Sequence, residues 1–169
     1  MNKLFSLRLL SRYGILLTLS GSVIILLLAV AYEKVTGLLP CPLCWLQRGI
    51  FAGFFLLSLM AVFLKHIRLV RWLLVAAFAL VTATGIGIAL RHLYIKLNPS
   101  SVGCGLDVET LLDFFPLQEA LTQMLVGSSD CAQAANLLGL PLPVWSLVGY
   151  LLLGSLAIYS LINKTKPSV

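Results

Sequence analysis

The amino-acid sequence predicts an all-α membrane protein, a bundle of four transmembrane helices with a long outer loop that carries short membrane-surface helices. Of its 169 residues, 60% are hydrophobic and only 11% are charged, and the mean hydropathy is +1.02. A soluble domain of this length has much more charged surface to present to water. Four apolar blocks each approach the roughly 20 residues that cross a bilayer core as a helix. They are residues 13–32, 43–64, 72–90 and 143–163.

These blocks form one predicted domain, residues 1–169, because a chain of this length fits a single domain. The first block is too long for a secretory signal peptide, and no small-residue cleavage site follows it. Arg48 alone interrupts the second block, and the third and fourth are uncharged. Lipid forces a backbone to satisfy its own hydrogen bonds, which favours helices. The alternative, a soluble helical protein, leaves almost no sequence to cover four such helices.

Basic residues predict which way the bundle sits in the membrane. Four spans place both termini on one side, and that side carries eight of the twelve Lys and Arg residues: Lys3, Arg8, Arg12, Lys65, Arg68, Arg71, Lys164 and Lys166. The positive-inside rule therefore places the termini and the 65–71 loop in the cytoplasm, and the 33–42 and 91–142 loops outside. The net charge of +6 does not indicate nucleic-acid binding, because the basic residues are scattered between apolar blocks.

The long outer loop, residues 91–142, exceeds a simple turn. From Asp107 to Val126 it is partly amphipathic, and Pro116 is expected to end or start a helix there. One or two short helices lying on the membrane surface fit this pattern. A small globular cap over the bundle is the alternative.

All four cysteines fall on the outer side, which in bacteria is an oxidising compartment. Cys41 and Cys44 form a C-x-x-C motif at the start of span two. A structural disulfide there would close a loop too small to remove much entropy from the unfolded chain. A zinc site needs two more well-spaced ligands, so no metal is expected. A redox-active pair fits best, because such motifs tune the pKa of their thiols.

Arg48 lies four residues after Cys44 and so shares its helix face, one turn deeper. A charged residue inside a span is a candidate functional residue. Its guanidinium can stabilise negative charge on a bound, reduced cofactor. The alternative is an interfacial arginine that reaches to the lipid headgroups.

Cys104 and Cys131 are separated by 27 positions in the outer loop. If they pair, they form either a structural staple or an accessible disulfide that the thiolate of a soluble partner attacks. The neighbouring Gly and Ser residues favour the second interpretation. Spacing alone leaves the other pairings of four cysteines open.

A protein that oxidises thiols also needs an electron acceptor. The sequence has no G-x-G-x-x-G after a strand, and no strands are predicted. Haem would need axial ligands, for which His92 is a weak candidate. A lipid-soluble acceptor suits a bundle whose reactive cysteine opens at the membrane surface, so elimination points to a quinone.

These residues together resemble the disulfide-bond-formation protein B family, DsbB. The resemblance covers essentially the whole chain. Its strongest element is the C-x-x-C motif followed by Arg four residues on. The matching segments are residues 41–48, 98–100, 104, 115–117, 129–131 and 139–145.

The resemblance implies a thiol oxidase of the bacterial inner membrane with periplasmic cysteines. It implies that a thioredoxin-fold, DsbA-like partner attacks the Cys104–Cys131 disulfide and that Cys104 takes the mixed disulfide. The outer-loop thiols then reduce Cys41–Cys44, and Cys44 donates to ubiquinone or menaquinone from the membrane pool. Arg48 lies beside that quinone, and His92 falls near the position of a histidine of the family's quinone site.

Three alternatives stay open. Vitamin K epoxide reductase is also a helical bundle with C-x-x-C and quinone chemistry, but its quinone-facing motif lies late in the bundle. A membrane scaffold with two structural disulfides would not need Arg48 beneath the motif. A specialised member of the same family would serve a dedicated thiol partner.

Overall fold

The computed structural model describes residues 2–37, 40–133 and 136–163, with side chains from residue 13 onward. Within these residues the helices are α1 (Asn2–Thr36), α2 (Pro42–Leu64), α3 (Arg68–Leu97), α4 (Val108–Phe114), α5 (Leu117–Val126), α6 (Ser129–Ala132) and α7 (Leu142–Asn163). Four helical stretches in this part of the chain are long and apolar enough to span a membrane, namely Tyr13–Thr36, α2, α3 and α7. The predicted all-α, four-helix membrane fold is confirmed.

The third helix is longer than its apolar block. It continues beyond the predicted end at residue 90 to Leu97, so the outer loop begins at Asn98. Arg91 and Lys96 are accommodated because their long stems can lie along apolar surface while their charged ends reach water. Lys164 and Lys166, which entered the topology prediction, lie outside the described residues, as do residues 38–39 and 134–135 of the outer loops.

The four long helices pack as a closed ring in which α1 contacts α2 and α7, while α3 also contacts α2 and α7. Aromatic side chains fill the centre, where the rings of Phe51 and Tyr150 stack with centroids 4.6 Å apart. Small residues let the helices approach closely, as is usual in membrane bundles. At Gly14, for example, an added Cβ would lie 2.8 Å from Cβ of Ser160.

The outer segment folds over one end of this ring. Asp107 caps α4 by accepting a hydrogen bond from the Thr110 backbone N–H, and Pro116 separates α4 from α5. The expectation of short helices around Pro116 is therefore met. Four buried side chains of α4 and α5 form a small apolar cluster, and Leu46 of α2 packs against it. The cluster consists of Val108, Leu111, Ala120 and Met124. The position of α4 and α5 on the membrane surface stays a prediction.

The prediction of no strands is wrong, because the structure has two very short ones, β1 (Asn136–Leu137) and β2 (Leu140–Pro141). They pair antiparallel, with Leu137 opposite Leu140. The two residues between them, Leu138 and Gly139, have φ of 53° and 80°, which is the type I′ geometry of tight hairpins. Two-residue strands carry no detectable alternation of apolar and polar residues, so the pattern could not reveal them.

Candidate functional site

The C-x-x-C motif forms the first turn of α2. Cys41 is the N-cap, with extended backbone, and Pro42 takes the first helical position, where it needs no hydrogen-bond donor. The Cys44 backbone N–H donates to Sγ of Cys41 at 3.4 Å. Capping geometry thus brings the two sulfurs to 2.8 Å from each other, with Cys41 buried and Cys44 half-buried.

Cys131 lies in α6 directly against this turn. It has no exposed surface and packs in an apolar cluster with Cys41, Leu43 and Ile95. The thiols of Cys131 and Cys41 hydrogen-bond to each other. Chiefly through this bond, the pKa of Cys131 is lowered to about 6, while the pKa of Cys41 is raised. Of the two, Cys131 is therefore the one that carries negative charge at neutral pH.

Cys104 is the exposed member of the group. Its chain segment is held beside α6 because the Ser129 backbone N–H donates to the Gly103 carbonyl at 3.1 Å. Gly105 packs so closely on Ser128 that a Cβ at this position would collide. Cys104 also borders a pocket of about 310 Å³, which is lined among others by Pro42, Leu106, Leu111, Phe115 and Val126. Hence Cys104, which solvent can reach, lies on a segment that packs against the helix of buried Cys131.

His92 joins the same cluster from α3. It is fully buried, and its Nε2 lies 3.2 Å from the carbonyl oxygen of Cys131 and 3.9 Å from Sγ of Cys41. Its Nδ1 lies 3.2 Å from Nε2 of Gln47. The structure thus places His92 behind the cysteines, with protein partners on both nitrogens. The predicted contact of His92 with a quinone stays a prediction.

The hydrogen-bond partners determine which His92 nitrogen carries the proton. A carbonyl oxygen can only accept, so Nε2 must be protonated to bond to Cys131. Nδ1 is then the acceptor, and the Gln47 amide donates to it. This matters for metal binding, since the nearest ligand atoms of Cys41, Cys44 and His92 all lie within 4.8 Å of one another. With a proton on Nε2, the nitrogen that faces the thiols has no lone pair for a metal ion.

Arg48 has a partner that sequence analysis missed. Its Nη1 donates to Oε2 of Glu33 at 2.6 Å, and its Nη2 donates to the Ala29 carbonyl at 3.0 Å, both on α1. The two charged side chains are 18% and 25% exposed, so the pair lies at the edge of the bundle. Its Cζ lies 5.9 Å from the ring centre of Trp45, which is exposed.

Gln47 is the second residue that the sequence analysis overlooked. An amide side chain in an apolar span is a visible signal, because it must find hydrogen-bond partners there. The pairing of Glu33 with Arg48 had no comparable signal. It depends on the packing of α1 against α2, which a sequence pattern does not specify.

Comparison with known proteins gives a consistent result. The family model described as "Disulfide bond formation protein DsbB" matches residues 11–160. A protein named disulfide bond formation protein B from Alkalilimnicola ehrlichii is 44% identical over 156 residues, covering 92% of this chain and 96% of that relative. Proteins of the same name from Marinobacter nauticus and Stutzerimonas stutzeri are 38% and 31% identical, covering 83% and 85% of this chain and 87% and 90% of each relative. No solved structure matches.

Proposed function

The chain belongs to the DsbB family and has a role in disulfide bond formation, and from that premise we propose that it is a protein thiol:quinone oxidoreductase. In this proposal it reoxidises a DsbA-like periplasmic dithiol protein and passes the electrons to a membrane quinone. The observation that carries the proposal is that exposed Cys104 lies on a segment hydrogen-bonded to α6, while Cys131 of α6 packs against Cys41 and Cys44 at the start of α2.

The first step uses the exposed sulfur. In the oxidised protein, Cys104 and Cys131 share a disulfide, and a thiolate of the partner attacks Sγ of Cys104. The Cys104–Cys131 bond breaks, its electron pair passes to Cys131, and a mixed disulfide joins Cys104 to the partner. A thiol of low pKa is a good leaving group in disulfide exchange. Backbone hydrogen bonds from Ser128 and Leu43, which favour the Cys131 thiolate whatever the state of Cys41, support this direction of cleavage.

The second step transfers the disulfide between the two pairs. The Cys131 thiolate attacks Sγ of Cys41, a Cys131–Cys41 bond forms, and the electron pair of the broken Cys41–Cys44 bond passes to Cys44. The packing of Cys131 against Cys41 in one buried cluster supports this choice of partners. The partner's second thiol then releases Cys104, which attacks Cys131 and frees Cys41. The net result is an oxidised partner and a reduced Cys41–Cys44 pair.

A quinone bound near Cys44 would supply a two-electron, two-proton acceptor that regenerates the Cys41–Cys44 disulfide. The residues present fit such a group. Cys44 is half-buried, Arg48 offers a guanidinium near it, and exposed Trp45 supplies an aromatic face. A DsbA-type disulfide is a strong oxidant, so its reoxidation needs an acceptor of higher potential. Ubiquinone and menaquinone are both candidates.

We further propose that the protein lies in the bacterial inner membrane as one domain, residues 1–169, with cytoplasmic termini and periplasmic cysteines. The distribution of Lys and Arg supports this orientation. The structure is compatible with it, since all four cysteines gather at one end of the helices and the 65–67 turn lies at the other.

Quinone reduction by the purified protein in detergent tests the proposal. Quinone absorbance is followed after addition of a reduced DsbA-like protein. We expect turnover in the wild type and none in Cys41→Ser or Cys104→Ser. Absence of turnover with both ubiquinone and menaquinone, in a folded protein, would favour a scaffold or a family member with another thiol donor.

A further inference from the structure

A chain of polar side chains, of which Gln47 and His92 are buried and Ser146 is half-buried, crosses the bundle behind the cysteines. Ser146 of α7 donates its hydroxyl hydrogen to Oε1 of Gln47 at 2.9 Å. Gln47 of α2 is 5% exposed, and its Nε2 lies 3.2 Å from Nδ1 of His92 on α3. The chain ends where Nε2 of His92 meets the Cys131 carbonyl. Three helices and α6 are thus connected through one line of hydrogen bonds.

Every hydrogen bond in this line points the same way. The Cys131 carbonyl requires a proton on Nε2 of His92, so Nδ1 accepts from the Gln47 amide. The amide oxygen is then turned away from His92, toward the Ser146 hydroxyl. Ser146 therefore fixes the orientation of Gln47, and Gln47 fixes the tautomer of His92. Burial makes the arrangement strict, because a polar group without a partner in the interior has no water to replace the lost hydrogen bond.

We propose that Ser146 and Gln47 are positioning residues that hold His92 as its Nε2-protonated tautomer and so keep Cys131 in place beside Cys41 for disulfide exchange. The inference rests on the proposed function, in which these two cysteines exchange. His92 lies beside both of these cysteines, since its Nε2 bonds to the backbone of Cys131 and lies 3.9 Å from the sulfur of Cys41.

Close packing of the helices alone would not require the hydrogen bonds from Ser146 to His92 to point in one direction. Substitution of Gln47 by glutamate keeps the size and shape of the side chain, but a carboxylate has no hydrogen to donate. Nδ1 of His92 would then have to carry the proton, and a neutral ring would leave Nε2 with a lone pair facing the Cys131 carbonyl. Gln47→Glu therefore separates the direction of the hydrogen bonds from the filling of space.

The tautomer can be measured directly by nitrogen-15 NMR of the histidine rings. A His66→Gln background removes the signal of the exposed His66. We expect protonated Nε2 and unprotonated Nδ1 for His92 in this background, and a protonated Nδ1 after Gln47→Glu. An Nδ1-protonated ring in the parent protein, or an unchanged ring in Gln47→Glu at a pH where the introduced carboxyl is ionised, would overturn the proposal.

The effect of Ser146 on disulfide formation is measured in a Cys44→Ser, Cys104→Ser background. Of the four cysteines, this background retains Cys41 and Cys131. Diamide is added as oxidant, and formation of the Cys41–Cys131 disulfide is followed by mass spectrometry. We expect Ser146→Ala to slow it about fivefold, the factor that corresponds to one ordinary hydrogen bond. Ser146→Thr, which keeps a hydroxyl, should restore most of the rate.

Ser155→Ala is the matched control, because Ser155 lies on the same helix, is exposed, and within the described residues donates its hydrogen bond to the Leu152 carbonyl of that helix. The Ser155→Ala variant of this background should form the Cys41–Cys131 disulfide at the parent rate. Equal rates for folded Ser146→Ala and Ser155→Ala would contradict the proposed role. Neither measurement needs a quinone or a partner. A protein that gives both expected results but reduces no quinone would therefore overturn the proposed function alone.

Discussion

Cys131 combines complete burial with a lowered pKa, and the two properties have different origins. Burial in an apolar cluster favours the neutral thiol, but hydrogen bonds from Cys41 and from backbone groups near Ser128 and Leu43 favour the thiolate more strongly. The residue is therefore a stabilised anion that solvent cannot reach. This state suits the proposed role of Cys131 as an internal nucleophile, which would react with one neighbouring sulfur and not with molecules in solvent.

The lowered pKa makes the stability of the reduced protein depend on pH. Cys131 has a pKa of about 6 in the folded protein against 9.0 for an ordinary thiol, so between these values the unfolded chain binds the extra proton. Its contribution is fully present near pH 9 and is lost as the pH falls through about 6. Above pH 9 the raised pKa of Cys41 acts in the opposite sense, because only the unfolded Cys41 loses its proton.

Melting curves of the reduced protein in detergent test this sign. Tm should rise from pH 6 to pH 9 in the wild type, and this rise should be smaller in Cys131→Ser. Cys104→Ser removes an exposed thiol and should keep the wild-type dependence. A Cys131→Ser protein with the full rise would show that other groups cause it.

Arg48 is predicted to act on the quinone more than on the fold. Its ion pair with Glu33 is partly exposed, and such pairs stabilise proteins by about 0–1 kcal/mol. Arg48→Ala should therefore raise the KM for quinone strongly while changing Tm only slightly. Glu33→Gln keeps the arginine and should have a smaller effect on KM. A large loss of Tm with unchanged KM would identify Arg48 as a structural residue.

At the scale of helices, close packing depends on particular glycines. An added Cβ at Gly154 of α7 would collide with the side chain of Thr82 on α3, whereas an added Cβ at Gly87 of α3 meets nothing within 4 Å. Gly154→Ala should therefore destabilise the bundle by about 1–3 kcal/mol, the usual cost of overpacking. Gly87→Ala should be neutral or slightly stabilising, since alanine favours helix. Denaturant titration in mixed micelles compares the two, and equal stabilities would contradict the observed packing.

The helices also show where sequence patterns stop being informative. The spans were predictable because apolar length alone distinguishes them, and Pro42 marked the start of α2. The end of α3 was less predictable, since Arg91 and Lys96 interrupt the apolar run without ending the helix. Hydropathy reports solubility in lipid, whereas a helix ends where its backbone hydrogen bonds end.

The candidate site also has features that a sequence pattern predicts and features that it does not. The four cysteines were recognisable from their residue type and their place in the predicted topology. The contact between Cys131 and Cys41 was not, because it joins residues 90 positions apart in the chain. The same holds for His92 with Gln47 and for Arg48 with Glu33. Each of these contacts depends on the rotation of one helix against another, which a single sequence does not encode in any local pattern.

At the scale of the whole molecule, the proposed orientation predicts which face each cysteine meets. An impermeant maleimide should label Cys104 of the reduced protein in intact spheroplasts. A cysteine introduced by His66→Cys, at the opposite end of the bundle, should be labelled only in inside-out vesicles. Labelling of both positions from the same side would contradict the four-span topology.

Because the four sulfurs differ in their exposure to solvent, side reactions with small molecules are also limited. A soluble thiol or peroxide that diffuses past the protein can strike Cys104, but it finds no surface on Cys131 and little on Cys41, which is 6% exposed. Competing reactions with small molecules are thereby kept away from Cys131 and Cys41. A large partner that holds Cys104 in a mixed disulfide covers even that sulfur, so electrons already committed to the deeper cysteines are protected from leakage back to solvent.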